Sequence, residues 1–61
     1  MYATERQQQI ESLIATDGRV AVVELARRFG VTTETVRRDL DQLETSGLLQ
    51  RVHGGAIART R

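Results

Sequence analysis

Sixty-one residues with nine arginines, eight acids, no lysine and a net charge of +1 at neutral pH make one small domain, of a size that buries about 60% of the surface its unfolded chain exposes. Cysteine is absent, which excludes disulfide staples and thiolate metal sites and fits a reducing compartment. No apolar run approaches the roughly 18 residues of a membrane span and no basic-then-apolar leader opens the chain, so a soluble, cytoplasmic protein with no membrane partner is expected.

Met1 to Thr4 reads as a frayed start, with Thr4 as N-cap of a first helix and Glu5 favourable in its first turn. Ile10, Leu13 and Ile14 mark one face of that helix, which runs to about Thr16 and stops at Asp17-Gly18. Arg19-Val20 is too short for a pattern of its own; a single extended rung that pairs elsewhere in the fold accommodates it. A second helix runs from about Val22 to Phe29, because Val22, Leu25, Ala26 and Phe29 have i, i+3, i+4, i+7 spacing with Glu24, Arg27 and Arg28 outside. Gly30 ends it. Only Gly30, Val31 and Thr32 precede the next helical pattern, and a short connection containing glycine is what sets the two helices of a helix-turn-helix at a steep angle. Ala26 is small where those helices would cross.

The third helix is the most strongly marked. Thr32 suits its N-cap, Val31 and Val36 suit a hydrophobic staple, and Gly47 suits its left-handed stop. Val36, Leu40 and Leu43 share a core-facing stripe, while Glu34, Arg37, Arg38, Asp41 and Thr45 point away from it. Past Gly47 the period changes: Gln50 to His53 and Ala56 to Arg59 flank Gly54-Gly55, as in a β-hairpin with a primed two-residue turn. Such a turn sets Val52 opposite Ile57, both toward the core. The fold class is therefore mainly α with a small β-hairpin, a winged helix-turn-helix of three helices plus a wing, with the recognition helix at about 33–46 and the wing at about 49–59. Arg59-Thr60-Arg61 reads as a cut just past a domain boundary, and residues 46–61 carry Arg51, Arg59 and Arg61 with no acid.

These residues resemble a known family. Gly18-Arg19-Val20, the run from Val31 to Leu40 (VTTETVRRDL), and Gly47-Leu48-Leu49 with Arg51 to Ala56 (RVHGGA) are similar to the N-terminal domain of DeoR-type bacterial repressors, over about Glu5 to Ala58. The resemblance implies a sequence-specific repressor of sugar-metabolism operons. It also implies a larger C-terminal domain, absent from residues 1–61, that binds a phosphorylated sugar and oligomerises. Ala21 departs from the family, which often has a hydroxyl there to cap the second helix. The intact protein is expected to bind repeated half-sites as a dimer or tetramer, and the present chain, which offers no long dimer seam, to be a monomer.

Double-stranded DNA is the partner this surface suits, since the major groove admits one α-helix. Thr32, Thr33 and Thr35 lie in the first turn, where free N–H groups and the positive helix end favour phosphate, or where the hydroxyls simply cap. Arg37 and Arg38 point about 100° apart, so one can reach base edges while the other turns to the backbone; Arg38, nearer the centre of the exposed face, is favoured for the bases. Glu34 either accepts from a cytosine amine or, preferred here, complements the helix dipole or pairs with Arg38. Asp39 points sideways, where it would hold Arg27, Arg28 or Arg51 in place. In the wing, Arg51 and His53 flank the turn, and Gly54 and Gly55 either let the backbone approach a sugar–phosphate strand or merely satisfy the turn.

His53 is the sole histidine and has no cysteine or carboxylate cluster to join, so no metal site and no cofactor are expected. An enzyme fits poorly, because neither Ser12 nor Ser46 sits beside a base and no glycine-rich phosphate loop follows a strand. The alternative is a winged helix used as a protein-interaction module. That use favours an exposed apolar patch over exposed arginines on the third helix, and the arginines argue for DNA.

Overall fold

The apolar stripes of the three helices meet in one core. In the computed structural model, which describes residues 2–59, α1 (Ala3–Asp17) contributes Ile10 and Ile14 to it and α2 (Val22–Phe29) contributes Val22, Leu25 and Ala26. Val36, Leu40 and Leu43 of α3 (Thr33–Thr45) complete the helical part. Leu13, Phe29 and Val31 pack on its edge. Three short strands, β1 (Arg19–Ala21), β2 (Leu49–Val52) and β3 (Gly55–Ala58), form an antiparallel sheet in the order β1-β3-β2, and Leu49 and Ala56 close the core from that side. This is a winged helix-turn-helix, mainly helical, with the Arg19-Val20 rung enlisted as a third strand. Met1 of the expected frayed start and Thr60-Arg61 of the expected chain end lie outside the described residues.

Each helix begins and ends for a local reason, with one correction. The N-cap of α1 is Tyr2, whose carbonyl accepts the Arg6 N–H at 3.0 Å, so Thr4 lies inside the first turn and is not the cap. Gly30 takes φ +68° after α2, a conformation that costs a residue with a Cβ roughly 1–2 kcal/mol, and Val31 N–H then reaches back to the Ala26 carbonyl at 3.0 Å. That bend delivers the chain to α3 within three residues. At the far end of α3, Leu48 N–H bonds the Leu43 carbonyl at 3.1 Å and Gly47 N–H bonds that of Glu44 at 2.9 Å, the paired bonds of a Schellman ending. Ala21 gives α2 no side-chain cap. The wing supplies one instead: the Val22 N–H donates to the Gly54 carbonyl at 2.9 Å.

The hairpin register differs from the expectation. Val52 lies opposite Gly55 and Gln50 opposite Ile57, so the turn is His53-Gly54, one residue earlier than a Gly54-Gly55 turn. Of those two only Gly54 has positive φ, at +78°, the pattern of a type II turn and not of a primed one. The cause is β1, which runs along the other side of β3 with Ala21 opposite Gly55. A Cβ on Gly55 would stand 2.1 Å from the Val20 carbonyl oxygen, so this glycine is required inside the ladder and the turn must form without it. Val52 consequently faces outward and is exposed, while Ile57 is half-buried.

Candidate nucleic-acid interface

The start of α3 is held by its own hydroxyls. Thr32 Oγ1 accepts the Thr35 N–H at 3.2 Å and lies 3.0 Å from Thr35 Oγ1. Thr32 is exposed, and Thr33 and Thr35 are half-buried. Removing this cap with Thr32→Ala is expected to cost about 1 kcal/mol and to lower the melting midpoint by about 4–8 °C for a domain of this size, which a thermal melt followed by circular dichroism measures.

Two flanks of α3 are occupied, which defines the face left open. On one flank, Gln42 accepts from Gln7 of α1 at 2.7 Å, and the buried Asp39 accepts from Arg6 at 2.6 Å (Nε) and 3.4 Å (Nη2). Asp39 therefore holds Arg6, not Arg27, Arg28 or Arg51, because α1 crosses α3 at this height. The Asp39 carboxylate, by accepting this hydrogen bond, raises the pKa of the Arg6 guanidinium above its ordinary value. On the opposite flank Arg37, Asp41 and Glu44 face the wing, and Arg51 reaches them. Its Nη1 donates to the Asp41 carboxylate and, at 3.4 Å, to the Arg37 carbonyl; its Nε donates to the Gly55 carbonyl at 3.2 Å; its main-chain N–H donates to Glu44 Oε2 at 2.9 Å.

The charge on α3 is thereby rearranged. The helix carries four acids against two arginines. Yet Asp39 and Asp41 are ion-paired with Arg6 and Arg51, and Glu44 accepts the Arg51 main-chain N–H. Glu34, the fourth, sits in the first turn beside the positive helix end and makes no ion pair with Arg38. Arg37 and Arg38 are both exposed, and among the described residues neither guanidinium is in an ion pair. Between the two occupied flanks, Glu34, Arg38 and Thr45 point outward at the centre of the open face, with Arg37 toward the wing.

The expected wing residues fall into three environments. His53 and Gly54 form the exposed turn, Arg51 is half-buried beneath it, and Gly55 is buried against β1. Gly55 thus fixes the turn from inside the ladder and is not part of its exposed tip. Sequence reasoning passed over Arg6, Gln7, Gln42 and Glu44. Glu44 alone had a legible signal, since it follows Asp41 by three residues on the same stripe of α3. Among the described residues no group of three or more His, Cys, Asp or Glu is placed to hold a metal ion, and no helix is long and apolar enough to cross a membrane.

Residues 6–61 match the family model described as a DeoR-like helix-turn-helix domain. The chain is 42% identical over 57 residues to the HTH-type transcriptional regulator GolR of Listeria innocua, covering 93% of this chain and 22% of that protein. It is 46% identical over 56 residues to the lactose phosphotransferase system repressor of Streptococcus mutans, covering 92% and 22%. It is 42% identical over 53 residues to the L-fucose operon activator of Haemophilus influenzae, covering 87% and 21%. The chain thus spans about a fifth of the length of these relatives. No solved structure matches it significantly.

Proposed function

This chain belongs to the DeoR-like helix-turn-helix family, and from that premise we propose that it is the operator-reading domain of a cytoplasmic bacterial repressor of sugar metabolism. It carries the DNA-binding helix-turn-helix of transcriptional regulators. In the proposed complex α3 lies in the major groove of double-stranded DNA and the hairpin meets the backbone or the minor groove. The observation that carries the reading is the charge arrangement on α3: its carboxylates beyond the first turn are engaged within the fold, and Arg37 and Arg38 stand exposed and uncommitted.

The roles follow from position. Arg38, at the centre of the open face, reads base edges, and a bidentate guanine contact suits its planar fork. Arg37, on the flank nearer the wing, reaches the backbone. Thr33 and Thr35 present the first turn to a phosphate, with Thr32 capping and touching the same strand. His53 and Gly54 meet a sugar–phosphate strand at the wing tip, over Arg51 and Gly55. Sugar control is favoured by two relatives whose names specify a lactose phosphotransferase repressor and an L-fucose operon activator. A phosphorylated-sugar effector and oligomerisation belong, in this proposal, to a C-terminal domain outside residues 1–61. Two recognition helices of such an oligomer would meet half-sites about 34 Å apart.

Selection of bound duplexes from a randomised pool at two salt concentrations tests the proposal. An enriched motif with salt-sensitive affinity is expected; salt-sensitive binding without enrichment points to backbone contact alone, and no binding at low salt to a protein-interaction module. On the enriched site, Arg38→Ala is expected to lose roughly 1–3 kcal/mol and relax one position. Arg37→Ala should weaken all sequences evenly and flatten the salt slope by about 1. Unchanged competition binding in both variants would remove α3 as the reading face.

A further inference from the structure

Among the described residues, every hydrogen bond that joins α3 to the hairpin is made by Arg51. It reaches α3 at three points, which lie at i, i+4 and i+7 along one stripe: its guanidinium donates to the Arg37 carbonyl and the Asp41 carboxylate, and its main-chain N–H donates to the Glu44 carboxylate. The same guanidinium donates from Nε to the Gly55 carbonyl on β3, just past the turn. We propose that Arg51 is a positioning residue which, anchored by Asp41 and Glu44, fixes the angle between the recognition helix and the wing and thereby determines which DNA sites are accepted. The inference rests on the reading that α3 and the wing meet one DNA site together.

First, the positive charge of Arg51 is already met by the Asp41 carboxylate, so the pair adds almost no net charge to the field that a phosphate sees. Losing it should leave electrostatic, sequence-independent binding nearly as it was, since that binding follows the number of phosphates neutralised. Second, the guanidinium sets its donors on separate nitrogens of one rigid plane, Nε toward β3 and Nη1 toward α3, whereas the three N–H groups of a lysine share a single nitrogen. A lysine would keep the charge and lose the geometry. Site-specific binding needs helix and wing to engage at a fixed spacing, and a loosened wing must be ordered at the moment of binding. The pair therefore acts on specificity.

The test measures affinity for the enriched site and for a scrambled duplex across a salt series, using the 61-residue chain and its Asp41→Asn, Arg51→Lys, Asp41→Asn/Arg51→Lys and Arg51→Ala forms. Asp41 is exposed, so Asp41→Asn keeps the fold, and circular dichroism checks each protein. Asp41→Asn and Arg51→Lys should each weaken the specific complex about tenfold, the scale of directly coupled pairs, with scrambled-duplex binding unchanged or, for Asp41→Asn, tighter. The double variant should be no weaker than either single one. Wild-type specificity in Arg51→Lys, together with an Arg51→Ala salt slope flatter by about 0.9, would make Arg51 a phosphate contact and overturn the proposal. So would multiplicative losses in the double variant. A wild-type chain that binds no duplex, or enriches no site, removes the DNA reading itself and the inference with it.

Discussion

Gly55→Ala is expected to abolish the β1–β3 pairing and to cost this chain most of its stability. The added methyl would lie 2.1 Å from the Val20 carbonyl oxygen, 3.2 Å from the Val20 carbonyl carbon and 3.2 Å from Ala21 Cα. These are backbone atoms and cannot turn aside as a side chain end can. The strands must part, and with them go the bonds that close the sheet on its helices, Ala58 N–H to the Gly18 carbonyl at 2.8 Å and Val22 N–H to the Gly54 carbonyl at 2.9 Å. Overpacking alone costs about 1–3 kcal/mol, and each buried backbone group left unpaired adds about 1–3 kcal/mol. A core of this size rarely supplies more than about 3–5 kcal/mol in total. Urea unfolding followed by far-ultraviolet circular dichroism should therefore show the Gly55→Ala transition near or below the start of the titration. Gly54→Ala is the internal control. Nothing lies within 4 Å of its Cβ position, and only the positive φ of +78° opposes it, a cost of about 1–2 kcal/mol. A Gly55→Ala midpoint equal to that of Gly54→Ala would contradict the close approach of β1.

Leu40→Ala should be comparably severe by a different route. Leu40 is 0% exposed, on the stripe of α3 that carries Val36 and Leu43 into the core. Truncation removes its transfer free energy and leaves a cavity, together about 2–5 kcal/mol, again a large part of the whole. The same helix carries Arg37 and Arg38 on its outer side, so DNA binding should fall with the folded fraction. The distinction from Arg38→Ala is then sharp. Leu40→Ala is expected to lose binding and stability in proportion, with the urea midpoint shifted; Arg38→Ala should lose binding with the midpoint unmoved. Equal midpoints for Leu40→Ala and the wild-type chain would mean that the residue is not in the core.

Much of this protein is written locally. The bounds of α2, the Thr32 cap, the Gly30 bend and the Val36, Leu40 and Leu43 stripe follow from residues within one or two turns of one another. A cap needs only its own first turn, and an amphipathic stripe only the 3.6-residue period. The family resemblance rode on the same local runs, and the matched family bears it out. The frayed-start reading failed at Thr4 by a small margin, because the Tyr2 carbonyl bonds Arg6 and starts the helix earlier.

Tertiary contact decided the rest. Either the His53-Gly54 or the Gly54-Gly55 pair can form a two-residue turn, and nothing within the hairpin chooses between them. The choice comes from β1, whose backbone passes too close to residue 55 for any Cβ. Asp39 could not be assigned its partner from its neighbours, because Arg6 lies on another helix that is brought beside it only when α1 crosses α3. Arg51 reads in sequence as a wing residue flanking the turn or as a partner for Asp39, and folding turns it toward Arg37, Asp41, Glu44 and Gly55. The sequence by itself thus determined the helices, the Thr32 cap and the family; the tertiary structure alone decided the wing register and which charges are left free. The physical reason is range: caps and periodic stripes act within a turn or two of the chain, whereas steric exclusion at Gly55 and charge pairing across elements exist only once distant segments are in contact.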